Sequence, residues 1–152
     1  MSHHHHDPAC IFCKIVQGVI PSAKILETDH AVAFLDINPV IQGHVLLVPK
    51  AHHSTLADLP DDLAAEAARL VPRLARAIRQ ATGADGLNLI VNNGLAAGQT
   101  VDHGHWHLIP RFIDDPVDWP WPHDDYSGDG LNHMKEQIRG ILAAEPQKIK
   151  VF

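Results

Sequence analysis

Three histidines at alternate positions, His103, His105 and His107, open an otherwise apolar segment that continues to Ile109. Alternate residues of a β-strand point to the same face, so an extended segment here would line up three imidazoles spaced by about 7 Å. Imidazole acts as a base, a nucleophile or a metal ligand near neutral pH, and a buried row of such rings is costly without partners. The run therefore predicts a strand from about Val101 to Ile109 that carries a chemical site.

Composition limits the classes of function open to such a site. The 152 residues, 45% hydrophobic and 20% charged, are typical of one globular domain. The net charge of −6 argues against an extended nucleic-acid interface, which needs clustered Lys and Arg, although backbone N–H groups could still bind a small nucleotide. No apolar run approaches the ~18 residues of a membrane span, and the N-terminal segment has no signal-peptide core. We therefore expect a cytoplasmic protein that binds neither nucleic acid nor membrane.

The N-terminal region carries a second group of possible ligands. Cys10 and Cys13 are the two cysteines of the chain and stand in a Cys-x-x-Cys spacing. In a reducing compartment this spacing is typical of a metal half-site or a redox pair rather than of a structural disulfide. The tract His3–His6 precedes them, and we interpret residues 1–8 as a disordered tail, native or left from a purification tag. Residues 9–152 would then form a single domain.

Hydrophobic periodicity and turn residues predict an α+β fold. We expect an antiparallel sheet of about five strands with helices on one side. The predicted strands are Lys24–Thr28, Ala31–Leu35, His44–Val48, Leu87–Val91 and Val101–Ile109.

The predicted helices are one or two turns within Ile11–Gly18, one long helix over residues 60–83 and a C-terminal helix over Gly130–Ala144. Pro72 lies inside the long helix and should kink or locally break it. Beyond about residue 112 the chain is irregular and rich in Pro and Trp. We expect Trp119 and Trp121 to anchor this segment by packing.

The chemistry of the histidine run has two interpretations from the residues alone. A His-x-His pair on a strand can chelate a catalytic zinc ion. Alternatively, one imidazole attacks an electrophile while its neighbours orient it or bind developing charge. The spacing does not separate these two roles.

The sequence resembles the histidine triad (HIT) superfamily, whose signature is His-φ-His-φ-His-φ-φ with φ apolar. Residues 103–109 follow it except at Gly104, where the family has a bulky apolar residue. The resemblance covers roughly residues 9–112 and is closest to zinc-containing bacterial members of the nucleoside phosphoramidase branch. The other matching segments are Cys10–Ile15, Ile20–Ser22, Ala33–Pro39, Gly43–Lys50 and Gly98–Val101.

The resemblance implies a HIT-like fold and a nucleotide hydrolase or transferase. The middle histidine of the family attacks the α-phosphorus of a nucleoside 5′-monophosphate derivative, which assigns the nucleophile to His105 and implies a nucleotidyl-histidine intermediate. His107 would hydrogen-bond a non-bridging oxygen, and His44 would support it. Dinucleoside polyphosphate hydrolysis, a zinc-containing nucleotide-binding regulatory role and metal-dependent hydrolysis remain alternatives.

The resemblance also implies the substrate and metal contacts. Asp36 would bind the ribose hydroxyls, although a plain turn residue is the alternative. An apolar slot for a purine base would comprise Ile11, Phe12, Phe34, Leu35 and Ile37, of which Phe34 and Ile37 could instead be ordinary core. The loop residues that would reach the phosphate and the leaving group are Asn92, Gly98, Gln99 and Thr100. One structural Zn²⁺ per chain would be held by Cys10, Cys13, His52 and His103, and the chain would form a homodimer.

Overall fold

The chain folds as an α+β domain, described by a computed structural model over residues 5–118 and 120–145. The helices are α1 (Ile11–Val16), α2 (Asp61–Ala68), α3 (Val71–Thr82) and α4 (Gly130–Ala144). The strands are β1 (Lys24–Glu27), β2 (Ala31–Leu35), β3 (Val45–Pro49), β4 (Gly86–Ile90) and β5 (Trp106–Arg111). Short 3₁₀ turns lie at Leu56–Asp58 and Leu95–Ala97.

The five strands form one antiparallel sheet in the order β1-β2-β3-β5-β4. This confirms the predicted fold class. β5 enters between β3 and β4, so that His107 pairs with Leu46 on one side and with Ile90 on the other. The second half of the histidine run therefore lies in the interior of the sheet, where backbone pairing on both sides fixes its position.

The predicted long helix is two helices, α2 and α3. Pro72 stands in the first turn of α3, where its missing N–H costs nothing, and the break falls just before it. Leu74 and Ile78 on the inner face of α3 are fully buried. Gly83 ends the helix in a left-handed conformation, with φ of 72°.

Helices cover both faces of the sheet, whereas the sequence predicted one. Alternation along the strands sends Ala33, Leu35 and Leu47 into the core beneath α2, α3 and α4. The opposite face presents Phe34 and Leu46, which pack against α1 in a smaller core. The short helix α1, which carries the Cys-x-x-Cys spacing, is thereby attached to the face of the sheet that also bears His107.

The strand that carries the histidines is shorter than predicted. β5 begins at Trp106, while His103 lies in a bend in which its own N–H donates to the carbonyl of Val101 at 2.8 Å. The N–H of Gly104 donates outside the sheet, to the carbonyl of His53 at 2.7 Å. The expectation of three aligned rings at even spacing is therefore wrong: the rings of His105 and His107 lie 4.8 Å apart, while His103 turns to a different site.

Both ends of the described chain contact the domain, and residues 120–127 are irregular as expected. Residues 5–8, expected to be disordered, contact the domain through a hydrogen bond from the N–H of His52 to the carbonyl of His5 at 2.9 Å. Residues 120–126 fold back onto the loop between β2 and β3, where Tyr126 accepts a hydrogen bond from the N–H of Gly43 at 2.7 Å. Trp119 lies outside the described residues. In the described part of the chain, no helix is long and apolar enough to cross a membrane.

Candidate active site and metal centre

A chain of hydrogen bonds sets the proton positions on two of the histidines. The main-chain N–H of Val40 donates to Nδ1 of His44 at 3.1 Å, so the proton of this neutral ring is on Nε2. That Nε2 lies 2.9 Å from Nδ1 of His107 and donates to it. His107 consequently carries its own proton on Nε2. The main-chain N–H of Val40 thus fixes the tautomer of His107 through the ring of His44.

His105 receives the opposite arrangement. Its Nδ1 lies 2.7 Å from the carbonyl of His103 and donates to it, which leaves the Nε2 lone pair free. The ring of Phe12 meets the imidazole edge-on at 5.0 Å between centroids. His105 therefore presents a lone pair next to His107, which presents an N–H. A nucleophile beside a hydrogen-bond donor is what attack on a phosphoryl group requires.

Burial keeps these imidazoles neutral. Desolvation lowers the pKa of His44 to about 3 and that of His107 to about 4, with further lowering from the neighbouring histidines. Desolvation also lowers the pKa of His105, partly offset by its hydrogen bond to the carbonyl of His103. All three rings are therefore uncharged near pH 7, the state in which His105 can act as a nucleophile.

The histidines line a cleft of about 250 Å³. Its walls are Asp36, Asn38, Val40, His44, Asn92, Gly98, Thr100, His105, His107, Pro120, Trp121 and His123. These residues include no Lys or Arg, and Asp36 is the single carboxylate. Burial raises the pKa of Asp36, and the N–H of Asn38 holds its Oδ1 at 2.9 Å. The cleft can accept hydrogen bonds from hydroxyl groups through Asp36 but has little positive charge for a highly charged ligand.

The cleft brings together seven of the predicted catalytic and substrate-binding residues, namely Asp36, His44, Asn92, Gly98, Thr100, His105 and His107. Gln99 and the residues of the predicted apolar slot do not line it. Gln99 is buried and bonds only to main-chain groups, donating to the carbonyl of Ser54 and accepting from the N–H of Gly94, each at 2.6 Å. Its side chain therefore stabilises the loop between β4 and β5 through these main-chain hydrogen bonds. Leu35 lies in the core beneath the helices, because strand alternation turns it away from Phe34. The side chain of Leu35 therefore lies on the opposite face of the sheet from Phe34, with which the sequence grouped it.

Of the remaining slot residues, Ile11 and Phe12 belong to α1, Phe34 to β2, and Ile37 to the loop after β2. Phe12 and Phe34 belong to the smaller core and contact one another edge-on at 5.7 Å. Ile11 and Ile37 are 47% and 65% exposed. They are available to an apolar ligand, as a base slot requires.

Sequence reasoning missed one wall of the cleft. The ring of Trp121 meets His107 edge-on at 5.2 Å and His44 at 6.4 Å. His123, interpreted from sequence as a surface residue, also lines the cleft, and its Nδ1 lies 3.2 Å from the carbonyl of Asn38. The prolines on either side of Trp121 predicted that its ring anchors the segment by packing. The neighbouring residues do not indicate that the surface it packs on is the cleft.

Beside the cleft, four side chains form a candidate metal centre. One ligand atom from each of Cys10, Cys13, His52 and His103 lies within 4.8 Å of all the others, so the group includes His52 and not its neighbour His53. Nδ1 of His103 lies 3.4 Å from Sγ of Cys10, while Nδ1 of His52 lies 3.4 Å from Sγ of Cys13.

The donor set fits a tetrahedral zinc ion. Nε2 of His103 donates to the carbonyl of Pro49 at 2.8 Å, so its Nδ1 lone pair faces the thiols. Desolvation lowers the pKa of His103 to about 4 and raises that of Cys13 to about 11. Buried thiols of this kind ionise when a cation binds, and two Cys with two His are a common structural zinc set. The same residue, His103, joins the two centres: its side chain faces the metal ligands and its carbonyl orients His105.

Comparison with known proteins agrees with this geometry. The HIT domain family profile matches residues 17–114. A Bacillus subtilis protein named Protein hit is 44% identical over 138 residues, covering 89% of this chain and 95% of its own length. The adenosine 5′-monophosphoramidase HNT1 of Saccharomyces cerevisiae is 43% identical over 132 residues, covering 85% and 81%.

Solved structures give the same result. A crystal structure of a Zn-bound histidine triad family protein from Mycobacterium smegmatis superposes with a TM-score of 0.80 at 36% sequence identity. The match covers 89% of this chain and 94% of that one.

Proposed function

Because this chain belongs to the HIT family, we propose that it is a nucleotide hydrolase or transferase acting on purine nucleoside 5′-phosphoramidates and related 5′-monophosphate derivatives. Relatives at 38–43% identity are named adenosine 5′-monophosphoramidase, which supports this substrate class. The observation that carries the proposal is the paired orientation of His105 and His107. One offers a free lone pair and the other an N–H, and both rings line the same cleft.

In the proposed reaction, Nε2 of His105 attacks the α-phosphorus. A P–N bond to His105 forms, the bond from phosphorus to the leaving group breaks, and the leaving amine takes up a proton from solvent. Nε2–H of His107 donates to a non-bridging oxygen as charge builds on it. Water then attacks phosphorus, the P–N bond to His105 breaks, and the nucleoside 5′-monophosphate leaves with the water's hydroxyl while the proton passes to solvent.

The contacts around the cleft support a nucleoside as the bound portion. Asp36 can accept two hydrogen bonds from ribose hydroxyls, and the exposed Ile11 and Ile37 can cover an aromatic base. The lack of Lys and Arg among the cleft residues favours a substrate with one phosphoryl group over a dinucleoside polyphosphate.

A structural Zn²⁺ at Cys10, Cys13, His52 and His103 is part of the same proposal. Four protein ligands leave no open position for a reacting water, so a bound ion would fix the fold rather than enter the reaction. It would hold α1 against the sheet and keep the carbonyl of His103 in place for His105.

A homodimer and a cytoplasmic location complete the proposal. Strand β4 is at the sheet edge and leaves Leu89 47% exposed, a surface on which a second copy could pair. Cys10 and Cys13 are free thiols, as in proteins of reducing compartments. Sedimentation velocity and cell fractionation test these two points.

The decisive experiment measures AMP release from adenosine 5′-phosphoramidate by the wild type, His105→Ala and His133→Ala. His133 is an exposed histidine on α4 and serves as the matched control. We expect hydrolysis by the wild type and the control and its loss, by a factor of about 10³ or more, in His105→Ala. Retained activity in His105→Ala would overturn the assignment.

Product analysis separates the alternatives. A phosphoramidase releases an amine, a dinucleoside polyphosphate hydrolase releases a second nucleotide, and a regulatory binding module releases almost nothing. A catalytic metal would make activity sensitive to a chelator in protein that stays folded.

A further inference from the structure

The N-terminal residues His5–Asp7 lie against the candidate metal centre. The N–H of His52 donates to the carbonyl of His5 at 2.9 Å, and the N–H of Asp7 donates to Sγ of Cys13 at 3.3 Å. The N–H of Cys10 donates to the carbonyl of Asp7 at 3.1 Å. This short segment therefore contacts three of the four candidate ligand residues, namely Cys10, Cys13 and His52.

The carboxylate of Asp7 is held in a fixed orientation. Its Oδ1 accepts a hydrogen bond from the N–H of Ala9 at 2.8 Å, closing a tight turn that leads into α1. Its Oδ2 lies 4.0 Å from Nε2 of His52, an ion-pair separation that a small rotation or a bridging water closes. Because Oδ1 is anchored by the N–H of Ala9, Oδ2 is already on the side of His52 and needs only this small adjustment to reach it.

His52 is oriented so that this carboxylate matters for metal binding. Its Nδ1 lies 3.4 Å from Sγ of Cys13, on the ligand side of the ring. An imidazole that binds a cation through Nδ1 must carry its proton on Nε2. The N–H of a metal-bound His52 would then face Asp7, which is an arrangement that raises ligand basicity and fixes the ring.

We propose that Asp7 is a positioning residue for a metal ion held by Cys10, Cys13, His52 and His103. Its carboxylate selects the metal-binding tautomer of His52, and its main-chain N–H donates a hydrogen bond to Sγ of Cys13. This rests on the metal centre proposed above and is independent of the hydrolytic activity.

The size of the effect follows from the geometry. Loss of an outer partner of a metal-binding histidine typically weakens metal affinity 10–100-fold. The Asp7 side chain is 43% exposed and 4.0 Å from His52, so solvent screens part of the interaction. We expect Asp7→Asn to weaken metal binding by about tenfold, the lower end of that range.

Asp7→Asn isolates the carboxylate charge. The amide keeps an oxygen for the N–H of Ala9, and the main-chain donor to Cys13 is unchanged. Asp62→Asn removes the same charge from the first turn of α2, where Oδ1 of Asp62 accepts a hydrogen bond from the N–H of Leu63, and it serves as the matched control.

The experiment titrates metal-free wild type, Asp7→Asn and Asp62→Asn with Co²⁺. Absorption from thiolate–cobalt bonds reports binding at the cysteines alone, so metal bound by the tract His3–His6 does not contribute. Zn²⁺ is then added to displace Co²⁺ and gives its dissociation constant. The melting temperature of each metal-free variant shows whether folding has changed.

An approximately tenfold weaker Zn²⁺ affinity in Asp7→Asn, with an unchanged metal-free melting temperature and a wild-type value for Asp62→Asn, supports the proposal. Equal affinities in all three proteins overturn it. Equal losses in both variants also overturn it, because they would reflect net charge. A wild type without the thiolate–cobalt signal overturns the metal centre itself, whatever the outcome of the hydrolysis assay.

Discussion

Replacing Gly104 by alanine tests the close contact between the histidine segment and the loop after β3. A Cβ at this position would lie 3.3 Å from the carbonyl carbon of Thr55 and 3.5 Å from the carbonyl oxygen of His53. Both neighbours are main-chain atoms, so the loop must move by a few tenths of an ångström. Adding a methyl group to a close-packed site typically costs about 1–3 kcal/mol. We expect Gly104→Ala to lower the free energy of unfolding by that amount.

The same displacement should reach His105, the proposed nucleophile. Gly104 lies between His103, whose carbonyl orients His105, and His105 itself, and its N–H is bonded to His53 at 2.7 Å. A shift of a few tenths of an ångström at this point should lower kcat severalfold, since misplacement by 1 Å typically costs about 100-fold.

Gly140→Ala is the matched control. Gly140 lies within α4, is exposed, and a Cβ there meets no atom within 4 Å. The substitution should therefore stabilise the helix by about 0.5–1 kcal/mol and leave kcat unchanged. Urea unfolding and thermal melting measure both variants, with about 2–4 °C expected per kcal/mol for a chain of this size. If Gly104→Ala is as stable as Gly140→Ala, the contact with the loop does not constrain position 104 and the argument is refuted.

Two further predictions concern the buried histidine pair and the metal centre. The pKa of His107 in the folded protein is about 4, below its usual 6.5, so the unfolded chain binds more protons between these values. The free energy of unfolding should then fall by up to about 3 kcal/mol as the pH decreases from 6.5 to 4, and by less in His107→Gln; equal pH slopes in urea unfolding would contradict this. Cys13→Ala should lower both the zinc content measured by atomic absorption and the melting temperature, and unchanged values of both would remove the metal assignment.

Much of the fold was predictable from sequence because local signals agreed. Strand β2 and helix α4 have the predicted bounds, and the break before α3 falls where Pro72 indicates. The division of the long helix and the αL end at Gly83 follow from residue chemistry alone. These features depend on hydrophobic periodicity and on the backbone restrictions of Pro and Gly, and both can be read from residues that are close in sequence.

The features that could not be predicted from the sequence depend on contacts between segments that are distant along the chain. His103 leaves the strand because its ring donates a hydrogen bond to the carbonyl of Pro49. The N–H of the next residue, Gly104, donates to the carbonyl of His53 instead of to a neighbouring strand. Gln99 turns inward because Ser54, 45 residues earlier, offers an acceptor. Pro120, Trp121 and His123 line the cleft because the N–H of Asp124 donates to the carbonyl of Pro39. None of these partners is visible in a local pattern.

The hydrogen bonds that orient His44, His103 and His105 end on the main chain, whereas His107 is oriented by the side chain of His44. Val40 supplies an amide to His44, and the carbonyls of His103 and Pro49 receive the protons of His105 and His103. A side-chain partner can be lost by a single nucleotide change, but a peptide group is present whatever the codon specifies. At position 40 the donor disappears only if proline is introduced. Positions that orient the histidines only through main-chain groups, such as Val40, should therefore tolerate substitution without loss of that hydrogen bond. A saturation library should find a tolerance at these positions that the histidines themselves do not share.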